Sequence, residues 1–335
     1  MKFTFLAEIV NNLSFFSDNA DDDTWPWVIA LDMQQALPTP KVTAGVAFYK
    51  RKMFVLNVGI HDLKTGRGYM YLWDEITARR GAIEICSCIY KFVTSIVPPT
   101  TKNLIIVSDN CPGQNKNYVM VLFYMFLNHS RRFEEITHIF LRPGHTYNAA
   151  DRDFAVIENH IKGSTIYSID DHISNIKAAK KNKPFVVTKM QQSDFLDFEH
   201  LKIYCTKRGT PQGIRFSDAC WFRVNSKYKI GYELATDYFS LNYDGHRIRL
   251  AKGIGKKADE NFSLKVNMSS RVKYSEPLPL KAAKLKDISY LVYNLLPKYS
   301  QDTYWKAILN VPSVEDINNM EDDDDIGGFG DIFDY

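Results

Sequence analysis

The chain alternates between short unbroken apolar runs and longer stretches in which apolar residues recur at helical spacing. Leu104 to Val107 are continuously apolar, the pattern of a strand covered on both faces, since a half-exposed strand would alternate. Trp27 to Leu31 read the same way. A third strand is predicted at about 52–60, a turn carrying T-G-R-G follows, and YMYLWDE returns as the hairpin partner. Ile83, Cys86, Ile89, Tyr90 and Val93 share one face of a helix predicted over about 79–97, ended by Pro98-Pro99. Strand 103–108 leads to a very apolar helix at about 115–128, then strand 137–141, then a helix over about 148–161 with Gly163 as its C-cap. The predicted order is β-β-β-α-β-α-β-α.

After this core the pattern loosens. A basic helix, HISNIKAAKKNK, precedes the strand PFVVTKM, and residues 194–275 hold short aromatic β-like runs separated by Gly, Asn and Asp. Residues 280–309 read as helical with a break at Pro297. The predicted organisation is a lead-in at 1–24, a catalytic α/β domain at 25–192, a small β-rich and helical appendage at 193–312, and an acidic flexible tail at 313–335.

Composition narrows the class. With 45% hydrophobic and 13% aromatic residues, global disorder is excluded. The formal charge of +3 conceals two acidic runs, Asp21 to Asp23 and Glu321 to Asp325; without their eight acids it is +11, which suits a polyanionic partner. The 5 cysteines form no close CxxC pair, which argues for reduced thiols and against a disulfide framework or thiolate zinc site. No run approaches the roughly 18 apolar residues of a membrane span, and the first residues lack a signal-peptide pattern. The expected setting is the nucleus or the cytoplasm, with no membrane partner.

The chemistry resides in acids at strand ends. Asp32 and Asp109 each follow an apolar strand, and open α/β sheets place reactive groups outside the carboxyl ends of their strands. Taken alone, S-D-N at 108–110 reads more readily as a turn or helix cap. The last core helix adds Asp151, Asp153 and Glu158. Acids on the first strand, after the fourth and on the last helix form the arrangement of a ribonuclease H-like nuclease, with a mixed five-stranded sheet flanked by helices. Such carboxylates converge on two divalent metals about 3.5–4 Å apart.

Several long motifs, LDMQQALPTPK, FYKRKMFVLNVGIHD, YLWDEITARRGAIEICSCI, VSDNCPGQNKN, RPGHTYNAADRDFAVIE and KLKDISYLVYNLLPKY, together resemble the catalytic domain of eukaryotic DDE-type transposases. The resemblance is closer still to an uncharacterised transposase-derived family common in insects. It implies a Mg²⁺- or Mn²⁺-dependent hydrolysis of DNA phosphodiesters with strand transfer, and a homodimer among the assemblies to test. Asp32 matches the first catalytic acid and Asp109 the second. For the third, Glu158 in FAVIE is put first and Asp151, in the G-H-x-(5)-D-R motif, second; they lie two turns apart on nearly the same helix face.

His145 has three candidate roles beside a plain structural one: assisting the water, holding the phosphate or orienting Asp151. Gln114, Asn115 and Asn117 stand where a helix start would meet a phosphate or merely cap the turn. Arg79, Arg80, Lys177, Lys180, Lys181 and Lys183 are candidate DNA backbone contacts, with a solvated basic surface as the alternative. Asp74 and Glu75 are auxiliary metal candidates, although a helix N-terminal charge pair accounts for them more simply. No zinc-finger or helix-turn-helix signature accompanies these motifs. Two alternatives stand beside the enzyme: a domesticated, catalytically inactive DNA- or protein-binding protein keeping the same fold, and an RNA-directed nuclease.

Overall fold

The computed structural model describes residues 25–142, 148–206, 216–225, 231–238, 244–246, 249–250, 267–301 and 303–314. Strands β1 (Trp27–Met33), β2 (Leu37–Thr39), β3 (Met53–Asp62), β4 (Arg67–Asp74), β5 (Asn103–Ser108), β6 (Glu135–Phe140) and β7 (Val186–Lys189) belong to one large mixed sheet. Its helices are α1 (Ala82–Ser95), α2 (Tyr118–His129), α3 (Ala149–Ile161) and α4 (Ile169–Ala178). Within the sheet the inner order is β4-β3-β1-β5-β6. The first three strands in sequence around β1 are antiparallel, while β5 is parallel to β1 and β6 to β5.

The sheet does not stop at five strands. A two-residue strand, β8 (Cys205–Thr206), lies outside it, but β9 (Trp221–Asn225), β10 (Tyr232–Ala235) and β11 (Asp244–His246) continue it beyond β6, each antiparallel to its neighbour. On the other side β7 adds to β4, so the sheet has ten strands among the described residues. The aromatic runs expected in a separate appendage thus extend the central sheet. Trp221 and Phe222 alternate across it, one into each face of the core.

Two faces of the sheet are covered. Trp27, Ile29, Leu31, Val58, Ile60 and Ile106 pack under α1 and α2. Val55, Met70, Leu72 and the helices α3 and α4 pack on the opposite face. The unusual composition of α2 follows from its position: all ten residues from Val119 to Asn128 are buried. Phe198, in the segment that wraps over it, stacks edge-on against Phe123 at 4.7 Å. Such a helix needs no polar face.

Helix ends depart from the sequence reading by their caps. Asn117 accepts the backbone N–H of Met120 at 3.2 Å and starts α2 after, not at, Asn115. Gly81 opens α1, leaving Arg79 and Arg80 in the approach to it. The C-terminal region supplies α5 (Ala282–Leu295) and α6 (Thr303–Leu309), whose Ile288, Val292, Trp305 and Ile308 close over Met53 and Ile76 at one rim of the sheet. No helix among the described residues is long and apolar enough to cross a membrane.

Candidate active site

Alternation along two neighbouring strands aims two acids the same way. Odd-numbered β1 residues face α1 and α2, whereas Val28 and Ala30 face the other side with Ala149 of α3. Asp32 shares the parity of Val28 and Ala30, so its side chain stands on the α3 face. On β5, Ile105 and Val107 pack in that same cluster, and Asp109 takes their parity. The parallel register pairs Leu31 with Ser108, making Asp32 and Asp109 the next residues on strands about 4.8 Å apart.

The third group arrives on the first turn of α3. Asn148 caps this helix by accepting from the N–H groups of Ala150 (2.7 Å) and Asp151 (3.3 Å), and Asp151 Oδ2 accepts the Asn148 N–H at 2.7 Å. This capping box fixes the Asp151 carboxyl. It lies within hydrogen-bonding reach of Asp32. Burial, the Asp109 charge, and the hydrogen bond and charge of Asp151 together push the Asp32 pKa up to about 8, against the opposing pull of the Met33 N–H. Burial and its acidic neighbours thus favour the protonated form of Asp32. Burial also raises Asp109, offset by Asn115 Nδ2 donating to Oδ1 at 2.6 Å, by the Cys111 N–H at 3.4 Å and by the nearby Arg80 guanidinium.

Tight backbone contact sets where α3 lies. A Cβ on Gly59 of β3 would sit 2.6 Å from the Phe154 ring, and one on Gly68 of β4 would sit 2.5 Å from Asp153 Oδ2. Only glycine admits the helix at this depth. Buried Asp153 meets His61 Nδ1 at 2.6 Å and Lys180 Nζ at 3.6 Å, pinning α3 to the sheet. A second tie is the buried Gln34 amide, which accepts from Asn57 at 2.9 Å and donates to Glu158 Oε1 at 3.1 Å. Glu158, the acid put first from the sequence, is thus engaged by Gln34, while Asp151 is the helical acid beside Asp32.

The remaining predicted residues separate into those at the acid rim and those elsewhere. Arg80 is exposed and acts on Asp109. Asn115 is buried against Asp109, and Gln114 lies in the same turn, its carbonyl accepting from Asn117 Nδ2 at 3.2 Å. The Arg79 backbone is held by Trp73 Nε1 and by the Tyr274 hydroxyl. Lys177 and Lys181 are exposed near α4, but Lys180 is engaged by Asp153 and lies over the Phe185 ring. Lys183 donates to the Thr65 carbonyl in the β3–β4 turn, at the end of the sheet away from Asp109. Asp74 accepts from the Thr77 hydroxyl at 2.6 Å, and Glu75 pairs with Lys284 at 2.8 Å; both are occupied structurally. His145 lies outside the described residues.

Sequence reasoning missed Lys116. It is buried, donates to Asn110 Oδ1 at 2.8 Å and to the Ser217 carbonyl, and lies over the Phe140 ring, with its pKa lowered by burial. It joins the turn after Asp109 to the segment leading into β9. Next to it, buried His138 bonds both Tyr124 and Ser108 at 2.9 Å, and its pKa is lowered to about 3 by burial and by Lys116. The ring is neutral and braces the end of β5. Its alternation within the strand ITHIF was the available signal for a core position.

Among the described residues no three or more His, Cys, Asp or Glu side chains form a ready-made metal cage. Asp32 faces Asp151, while Asp109 is turned toward Asn115. No curated protein and no solved structure matches the chain. Residues 56–229, just over half of the chain and including β5, Asp109 and α3, match the family described as Domain of unknown function (DUF7869), and the chain belongs to that family.

Proposed function

We propose that this protein is a metal-dependent nuclease or transposase core acting on DNA phosphodiesters, with Asp32, Asp109 and Asp151 as its acids. The observation that carries the reading is that Asp32 of β1 feels the charges of both Asp109, after β5, and Asp151 of α3, which add to burial in pushing its pKa up to about 8. We also infer that the five inner strands are a ribonuclease H-like core. Their order and directions support this, as does the placement of the acids at the carboxyl end of the parallel pair.

The donors are all oxygen, the chemistry a hard divalent cation takes, and they repel one another when charged, but among the described residues they are not gathered into a ready-made cage. Asp32, Asp109 and Asp151 would hold Mg²⁺ or Mn²⁺, which when bound supplies Lewis-acid polarisation of a phosphoryl oxygen and an activated water or hydroxyl. The chain's own parts do the positioning. Asn115 orients Asp109, the capping box holds Oδ2 of Asp151, and Arg80 offers a guanidinium to a phosphate. The proton on Asp32 must leave before a cation enters, so metal affinity rises with pH.

Nicking of supercoiled DNA in Mg²⁺ or Mn²⁺ tests the reading directly. Wild type should nick and Asp109→Asn should lose at least a hundredfold; equal rates, or no nicking by wild type across pH 6–9, would refute it. The open geometry of the acids favours a second reading, a catalytically inactive DNA- or protein-binding protein that keeps the fold. A folded protein that binds DNA yet shows no Mn²⁺-induced thermal shift would support that one.

A further inference from the structure

We propose that the corner formed by Phe48, Tyr49, Lys50 and Arg51 with Tyr290 and Tyr293 of α5 is a stacking platform for single-stranded nucleic acid. Phe48 is 84% exposed and Tyr49 83%, in a short 3₁₀ turn at 45–49 in which Ala47 alone is buried. The two rings touch only each other among the contacts this turn makes through rings, edge-to-face at 5.3 Å. Two adjacent large aromatics left in water cost free energy that a partner would recover.

The surroundings indicate which partner. Lys50 lies 4.8 Å over the Tyr290 ring and bonds Asp287 at 2.9 Å, while Arg51 reaches the same acid at 3.3 Å. These contacts join the turn to α5, where Lys286, Tyr290 and Tyr293 recur at helical spacing and are all exposed. Lys50, Arg51, Lys52 and Lys286 outweigh Asp287 in charge. Aromatic faces interleaved with cations are what sequence-tolerant binding of single strands requires, with bases on the rings and phosphates on the ammonium and guanidinium groups. An apolar peptide would use the rings and leave the cations unmatched.

Placement relative to the acids gives the platform a purpose. Asp32 pairs with Gly59 on β3, and Lys52 precedes the start of β3, further along in the direction in which β1 ends. The intervening strand residues span roughly 20 Å, or about six base steps of stacked strand. A single strand engaged at the acids needs only that length to reach the platform. The choice of nucleic acid over protein rests on the proposed function, but binding does not require the acids to be active.

The test is fluorescence anisotropy with a labelled 20-nucleotide oligothymidine in EDTA, which separates binding from nicking. Phe48→Ala/Tyr49→Ala should weaken binding at least tenfold and Tyr293→Ala measurably, with melting temperatures unchanged because these side chains face water. Blunt duplex should bind less tightly than the single strand. Unchanged affinity in the double variant would overturn the proposal. So would a duplex preference, or a concentration-dependent dimer that the double variant abolishes. Absence of nicking by wild type, with oligothymidine binding that the double variant weakens, would sink the proposed function and leave the platform standing.

Discussion

Replacing Asp32 by asparagine should make the protein more stable while removing the nicking proposed for it. The carboxyl has a pKa of about 8 in the folded chain against 3.8 unfolded, so the folded state holds this proton more tightly. Below about pH 4 both states are protonated and the site contributes its full share of stability. As pH rises toward 8 the unfolded chain releases the proton and the folded chain does not, so stability falls by about 1.4 kcal/mol per unit and levels off above the folded pKa. The loss accumulated by pH 7 has a ceiling of about 4 kcal/mol, roughly 6 °C for a protein of this size. The Asp32→Asn variant has no such loss, and the amide it carries there can still bond Asp151. Thermal melts of both proteins from pH 4 to 9 should coincide near pH 4 and diverge upward, the variant several degrees higher at pH 8. Added Mn²⁺ should close the gap from the wild-type side only, since the cation relieves the same repulsion. A variant equal to or less stable than wild type at pH 8 would refute the electrostatic account of the rim.

Gly59→Ala forces a Cβ into the Phe154 ring at 2.6 Å, so it should destabilise by about 1–3 kcal/mol in chemical denaturation and lower any nicking through displacement of α3. Asp151→Asn should abolish nicking, whereas Glu158→Gln, which can keep a bond to Gln34, should retain most of it; the reverse pattern would restore Glu158 as the third acid. Lys116→Met leaves the Ser217 carbonyl without this donor and removes the partner of Asn110, at a cost of about 1–3 kcal/mol measurable by urea titration.

Much of the core was legible in the chain because the information is local. Unbroken apolar runs marked β1 and β5 as doubly covered strands, and period-two parity is enough to send Asp32 and Asp109 to one face once their pairing is known. The width of the sheet was not legible. Strands 221–225 and 232–235 are short, aromatic and bounded by turn residues, a pattern that fits an appendage as well as an extension. Only the pairing of Thr137 with Arg223 and its neighbours distinguishes them.

The third acid illustrates the same limit. Asp151 and Glu158 share a helix face, and helical periodicity cannot choose between them. What separates them is the depth and direction of α3, set by Phe154 over Gly59 and by buried ties from His61 and Gln34, all contacts between distant parts of the chain. The strand glycines were the one local signal, since glycine inside a strand marks a close approach. The basic residues after α4 look suited to DNA in sequence, but the fold carries Lys183 to the end of the sheet opposite Asp109, and the cation acting on that acid is Arg80 among the described residues.

The most direct test of the acid rim is a crystal soaked in Mn²⁺ at pH 8, with anomalous scattering used to locate the ion. A peak bounded by Asp32, Asp109 and Asp151, and absent in Asp109→Asn, is the predicted result. A saturating soak with no peak at that rim, or one ligated by Glu158 with Asp151 still turned to its cap, would contradict it.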